Sequence, residues 1–181
     1  GSAFHKVMEL FEFTELTKEV NSNRQAAEEL VKEQVDRMRQ EQVLSEAYYQ
    51  VLSIQRLAAF LQTEAAWRMA QAARAGRLYK EQPFVMGLSA ERLKASFPPA
   101  ETVLIQGIID VFFEEEDGYV VLDYKTDAVE RPEELIKRYQ VQLAYYSEVL
   151  EQLSGYAKGK NGKRVKERII YSFRLGQEIP V

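Results

Sequence analysis

The sequence predicts an α/β (α+β) fold: a mixed central sheet flanked by helices and preceded by a helical N-terminal half. Three observations predict it. Residues 1–75 contain no proline and carry apolar positions at helical spacing. After Gly76 the texture changes to β-branched and aromatic runs broken by turn residues. A long amphipathic segment opened by Pro132 then separates the third of those runs from the last. The expectation is one domain over 1–181, with a helical part at 1–75 and a β-β-β-α-β core at 76–181.

In the first part, Phe4, Val7, Met8 and Phe11 share one helix face. Asn21-Ser22-Asn23 offers an N-cap, and Ala27, Leu30, Val31, Val35 and Met38 form the stripe that follows. Leu57, Phe60, Leu61, Trp67 and Met69 extend the helical pattern. The helix-like sequence begins at once, as expected for a piece of a longer protein.

In the second part, Leu78–Leu88 reads as a strand, with Pro83 marking an edge or a bulge. Residues 93–100 read as a loop. Thr102–Glu114 and Tyr119–Thr126 are strands joined through Asp117-Gly118, a hairpin signal. Pro132–Leu153 is a helix ended by Gly155. A basic loop spans 158–166, and Arg168–Leu175 is the last strand.

Composition narrows the chemistry. With 46% hydrophobic and 29% charged residues the chain is an ordinary globular one. No apolar run is long enough to span a membrane and no secretory signal is evident, so a cytoplasmic location is expected. The absence of cysteine excludes disulfides, thiolate metal sites and cysteine nucleophiles. No phosphate-binding loop and no nucleophile elbow occurs. The net charge of -4 is unusual for a free-standing nucleic-acid binder.

Two aspartates stand where apolar residues are expected. Asp110 interrupts Gly107-Ile108-Ile109-Asp110-Val111-Phe112-Phe113, and Asp123 interrupts Val120-Val121-Leu122-Asp123-Tyr124. Burying a lone carboxylate is costly unless it is paired or meets a cation. Strand alternation puts Lys125 on the face of Asp123, and the hairpin brings Asp110 beside them. An Asp-x-Lys pair alone reads equally well as a structural salt bridge; Asp110 across the hairpin favours a site. Oxygen donors select Mg²⁺ or Mn²⁺, and such an ion with a lysine suits phosphodiester hydrolysis. On the helix, Gln142 and Tyr146 are four apart and share a face that can support the site or simply pack. His5 lies one turn before Glu9. Glu81 reads either as a third carboxylate near the site or as an exposed residue. The basic loop, with Lys158, Lys160, Lys163, Arg164 and Lys166, is a solvated loop or a hold for a DNA backbone.

The series Gly107-Ile108-Ile109-Asp110, Leu122-Asp123-Tyr124-Lys125-Thr126-Asp127 and Gln142-x-x-x-Tyr146 resembles the RecB-type branch of the PD-(D/E)xK nucleases. Gly1-Ser2-Ala3-Phe4-His5 resembles the Gly-Thr-x-x-His segment that opens such domains, with Ser2 in place of threonine. Glu81-Gln82-Pro83-Phe84 resembles their Glu-x-Pro-Phe strand. The order covers nearly the whole chain and is most like the nuclease domains of AddAB-type helicase–nucleases. The resemblance implies a restriction-endonuclease-like core and an Mg²⁺-dependent DNA exonuclease domain acting in end resection during double-strand break repair. It implies His5, Asp110, Asp123 and the Tyr124 carbonyl as metal ligands, Lys125 as catalytic lysine, and Gln142 and Tyr146 as supporting motif residues. It also implies three partners: single-stranded DNA delivered by a helicase motor, an AddB-like subunit, and a helicase region of the same full-length chain. Delivery of the strand by a helicase accounts for the acidic charge. The alternative is a non-catalytic module of the same fold that holds DNA or a partner protein.

Overall fold

A computed structural model describes residues 1–181 apart from 93, 99, 157, 158 and 160. Six α-helices precede the sheet: α1 (Ser2–Leu10), α2 (Lys18–Ser22), α3 (Arg24–Gln40), α4 (Glu46–Val51), α5 (Ile54–Leu61) and α6 (Glu64–Arg74). Five consecutive helices, α2 to α6, open on a side-chain cap, the first through Thr17, which accepts from the Val20 N–H. Asn23 accepts from the Ala26 N–H, Ser45 from Tyr48, Ser53 from Arg56 and Thr63 from Ala66. Each cap satisfies a helix-end donor that would otherwise be bare. These caps break the proline-free half into short helices.

The sheet has five strands in the order β1-β2-β3-β4-β5, with β1 Leu78–Ser89, β2 Thr102–Glu115, β3 Gly118–Lys125, β4 Val165–Ser172 and β5 Gln177–Pro180. β3 and β4 are parallel; the other neighbours are antiparallel. The parallel crossover is α7 (Pro132–Ser154), which ends on Gly155 at φ 83, a left-handed value glycine adopts without strain. Pro83 lies on β1, an edge strand, where a missing N–H breaks no inner ladder. Among the described residues, no helix is long and apolar enough to cross a membrane.

Two differences from the sequence expectation stand out. The strand expected at 168–175 begins at Val165 and gives way to a turn after Ser172, and β5 was not expected. The early part of β4 reads as loop because it is charged (Lys166, Glu167, Arg168). Its charges are met by other elements: Lys166 pairs with Glu115 at 2.8 Å, and Arg68 of α6 bonds Glu167.

The main core lies between the helical half and one face of the sheet. Val7, Met8, Phe11, Leu57, Phe60, Leu61 and Met69 meet Val111, Phe113, Val120, Leu122, Tyr124 and Tyr171 there. The other face meets α7 through Val121, Phe112, Tyr146, Val149 and Leu150. Arg68 ties the two halves. Its Nε and Nη2 bond both Glu115 oxygens at 3.0 and 2.6 Å. That guanidinium holds the Glu115 carboxyl down to about 2. A depressed carboxyl stabilises the fold above its ordinary range near 4.5, and the gain is lost as pH falls towards 2. Arg68→Met is therefore expected to cost about 2 kcal/mol at neutral pH. Its melting temperature should approach that of the parent as the pH is lowered through the acid range. Thermal melts of both proteins across that range check this.

Candidate active site

The site forms where β2 parts from β3. Their ladder runs from Glu115–Gly118 to Val111–Leu122, while β3 continues to Lys125 alongside β4. Asp110 is the next residue of β2 beyond that ladder. Its Oδ2 accepts the Tyr124 N–H at 2.9 Å, so the carboxylate takes up a strand donor at the point of splitting. The same oxygen lies 3.1 Å from His5 Nε2. His5 is presented by α1, whose opposite face is fixed in the core by Ala3, Phe4, Val7 and Met8. The other ring nitrogen lies 2.9 Å from the Gly1 carbonyl. The hydrogen bond to Asp110 raises the His5 pKa to about 9, against the opposing effect of burial.

Asp123 and Lys125 follow on β3. The Asp123 side chain is only 3% exposed and lies close enough to the Asp110 carboxyl to feel its charge. Burial, reinforced by the charge of Asp110, pushes Asp123 up to about 7. Burial acts on Asp110 in the same sense, but His5 and the Tyr124 N–H together hold it below the usual carboxylate range. Lys125 Nζ stands 2.7 Å from Asp123 Oδ2. The contact is close but poorly aligned, leaving that buried oxygen without a directed hydrogen bond. Asp110, Asp123, Lys125 and His5, singled out from the sequence, thus lie together in space.

From α7, Gln142 Oε1 lies 3.4 Å from Lys125 Nζ, and Gln142 Nε2 donates to the Tyr146 hydroxyl at 2.8 Å. Tyr146 is also a packing residue, edge-on to Phe84, so it both meets Gln142 and fills the core. Tyr124 turns its ring into the core against Phe60, with the His5 ring edge-on to it at 6.0 Å, while its N–H meets Asp110. Glu81 sits between the pairs Lys80–Val111 and Gln82–Ile109, which places it opposite Asp110. Its φ is 51, a strained value for a non-glycine residue. Burial and the Asp110 charge raise its pKa.

Of the basic loop, the described Lys163 and Arg164 are not brought here. Lys163 pairs with Glu114 at 2.6 Å and donates to the Glu115 carbonyl at 3.0 Å. The exposed Arg164 offers its carbonyl to the Tyr119 N–H. Both lie at the Gly118 end of β3, whereas Lys125 is at the other end. A strand of that length spans on the order of 20 Å. Lys158 and Lys160 lie outside the described residues. Tyr139 was not singled out from sequence, yet its ring lies 3.8 Å from Lys125 Nζ. The available signal was its place three residues before Gln142, on the same helix face.

The donor set fits a hard divalent cation. Among the described residues, no three His, Asp or Glu side chains are already gathered at ligating positions. The donors are engaged with each other instead, His5 on Asp110 and Lys125 beside Asp123. Two neighbouring carboxyls, one with an undirected buried oxygen, are poorly compensated by protons alone. Carboxylate oxygens and an imidazole suit a small cation that could replace those protons.

A mixed sheet with paired carboxylates and a lysine at a strand divergence, backed by a Gln-x-x-x-Tyr helix, defines a nuclease-like α/β class. The family model of the PD-(D/E)XK nuclease superfamily matches residues 1–176, and the chain belongs to that superfamily. It is 34% identical over 216 residues to an ATP-dependent helicase/nuclease protein of Lachnoclostridium phytofermentans, covering 100% of this chain and 14% of that protein. It is 35% identical to the protein of the same name from Thermoanaerobacter pseudethanolicus, covering 97% of this chain and 13% of that one. The Clostridium botulinum (strain Alaska E43) counterpart is 31% identical, over 99% of this chain and 13% of its own. The chain thus spans only a small fraction of the length of these relatives.

Proposed function

We propose that this domain hydrolyses DNA phosphodiester bonds with Mg²⁺, or Mn²⁺ in its place, at Asp110, Asp123 and Lys125. The observation that carries the reading is the meeting of a buried and a half-buried carboxyl with an ammonium at the β2–β3 split. The Asp110 and Asp123 carboxylates, His5 Nε2 and the Tyr124 carbonyl would hold the ion. When bound, it supplies positive charge for a phosphoryl oxygen and makes a nearby water more acidic. Lys125 orients that water or meets the charge that grows at phosphorus. Gln142 keeps the ammonium in place and is itself held by Tyr146.

The relatives are named for a helicase/nuclease, and the chain matches a small part of each. We extend the proposal accordingly. In a longer chain, a helicase region passes single-stranded DNA to this domain, beside an AddB-like partner protein, and the domain acts as an exonuclease in end resection during double-strand break repair. Delivery by a motor suits a domain of net charge -4, which by itself attracts DNA poorly. The test is incubation of labelled single-stranded DNA with the purified domain. Degradation with Mg²⁺ or Mn²⁺ that EDTA stops is expected; cleavage that EDTA leaves unchanged would rule out the metal-dependent reading.

A further inference from the structure

We infer that Tyr139 is a positioning residue whose ring holds the Lys125 ammonium in place. The catalytic consequence rests on the role proposed for Lys125 above; the contact itself does not.

An ammonium has three protons to place and no acceptor of its own. Lys125 Nζ has three close neighbours. Asp123 Oδ2 is at 2.7 Å, Gln142 Oε1 at 3.4 Å, and the Tyr139 ring centroid at 3.8 Å. The ring distance is well inside the range for a cation over an aromatic face, and the lysine side chain is only 14% exposed. A desolvated cation gains more from such a face than an exposed one does.

The ring is itself braced. Its hydroxyl donates to Asp127 Oδ2 at 2.8 Å, and Arg138 Nη1 bonds the same oxygen at 3.1 Å. Asp127 lies two residues beyond Lys125, so the segment that carries the lysine also anchors the ring beneath it. Tyr139 and Gln142, three apart on α7, present a π-face and an amide oxygen to one ammonium. The Asp123 contact is the least dependable of the three. It is poorly aligned, and that carboxylate is one the proposed cation would claim. The ring and the amide are the contacts that remain with Lys125 whatever Asp123 binds.

The opposing reading is that Tyr139 only fills space beside Val129, Leu135, Leu143 and Ile170. Tyr139→Phe and Tyr139→Leu separate the two, because both fill that space but only phenylalanine keeps a π-face. The first readout is the NMR signal of the Lys125 side-chain protons next to Nζ, assigned with Lys125→Arg and recorded without metal or DNA. It should be shifted upfield by the ring in the parent and in Tyr139→Phe, and return to the position of exposed lysines in Tyr139→Leu. The second is steady-state cleavage of single-stranded DNA with Mg²⁺. Tyr139→Leu should lower kcat about tenfold with KM within about twofold, and Tyr139→Phe should recover most of the loss. An unshifted lysine signal in the parent, or equal kcat in the leucine and phenylalanine variants, overturns the inference. Because the NMR readout involves no turnover, it decides the contact even for a chain that cleaves nothing, a result that would instead count against the proposed function.

Discussion

Lys125→Ala is expected to lower kcat for single-stranded DNA cleavage by a factor on the order of a hundred to a thousand, the usual loss when one preorganised charge is removed from a developing oxyanion. Nothing else in the described site can replace it. The other cation there, His5, is engaged with Asp110. KM should change little, because an acidic domain draws little of its DNA affinity from one half-buried ammonium. Lys125→Arg should not rescue, since a planar fork cannot sit where a compact ammonium fits between Asp123, Gln142 and the Tyr139 ring. Single-turnover cleavage with the parent and both variants checks this; an alanine variant within about threefold of the parent would remove the lysine from the chemistry.

Asp123→Asn is expected to be as damaging through a different step. The amide keeps the shape of the carboxylate and can still accept from Lys125, so the fold should survive. It removes a negative charge that burial opposes but also the anion beside Lys125, so each protein's melt with Mn²⁺ is compared with its own metal-free melt. What it loses is the cation. A ligand present at a hundredfold excess over its Kd stabilises the folded state by about 2.7 kcal/mol. The parent should therefore show a rise in melting temperature on adding Mn²⁺, and Asp123→Asn should show almost none. Loss of cleavage with an undiminished metal-induced rise would separate Asp123 from metal binding and undo its assigned role.

The parts of this molecule legible in its sequence are those where local chemistry conflicts with its surroundings. Asp110 and Asp123 stood out because a carboxylate in an apolar strand needs a reason. The Asp117-Gly118 turn fixed their strands as neighbours. The α7 boundaries were legible from Pro132 and Gly155, which act locally. Other features depend on partners far away in the chain. The first residues of β4 looked like loop because Glu167 and Lys166 find Arg68 and Glu115 only in three dimensions. β5 is four residues without a usable alternation and exists because β4 offers it an edge. The breaks between the N-terminal helices come from single capping side chains rather than from glycine or proline. Glu81 gave no sign of its left-handed backbone, since nothing local in Lys80-Glu81-Gln82 requires it. Tyr139 read as one more aromatic on an amphipathic helix, because its relation to Lys125 is tertiary. The basic loop was legible as charge but not in its placement: Lys163 pairs with Glu114 at the far end of β3 from Lys125, a tertiary relation the sequence does not display.

The proposed function requires the carboxyls of Asp110 and Asp123 to take a shared divalent ion in place of the protons and neighbours that now compensate them. Anomalous diffraction from crystals grown with Mn²⁺ tests this most directly. The expected result is a peak within ligating distance of both carboxylates, with His5 Nε2 turned from Asp110 towards it. Density that places manganese elsewhere, or none at these two residues in crystals of a chain that still cleaves DNA, would contradict it.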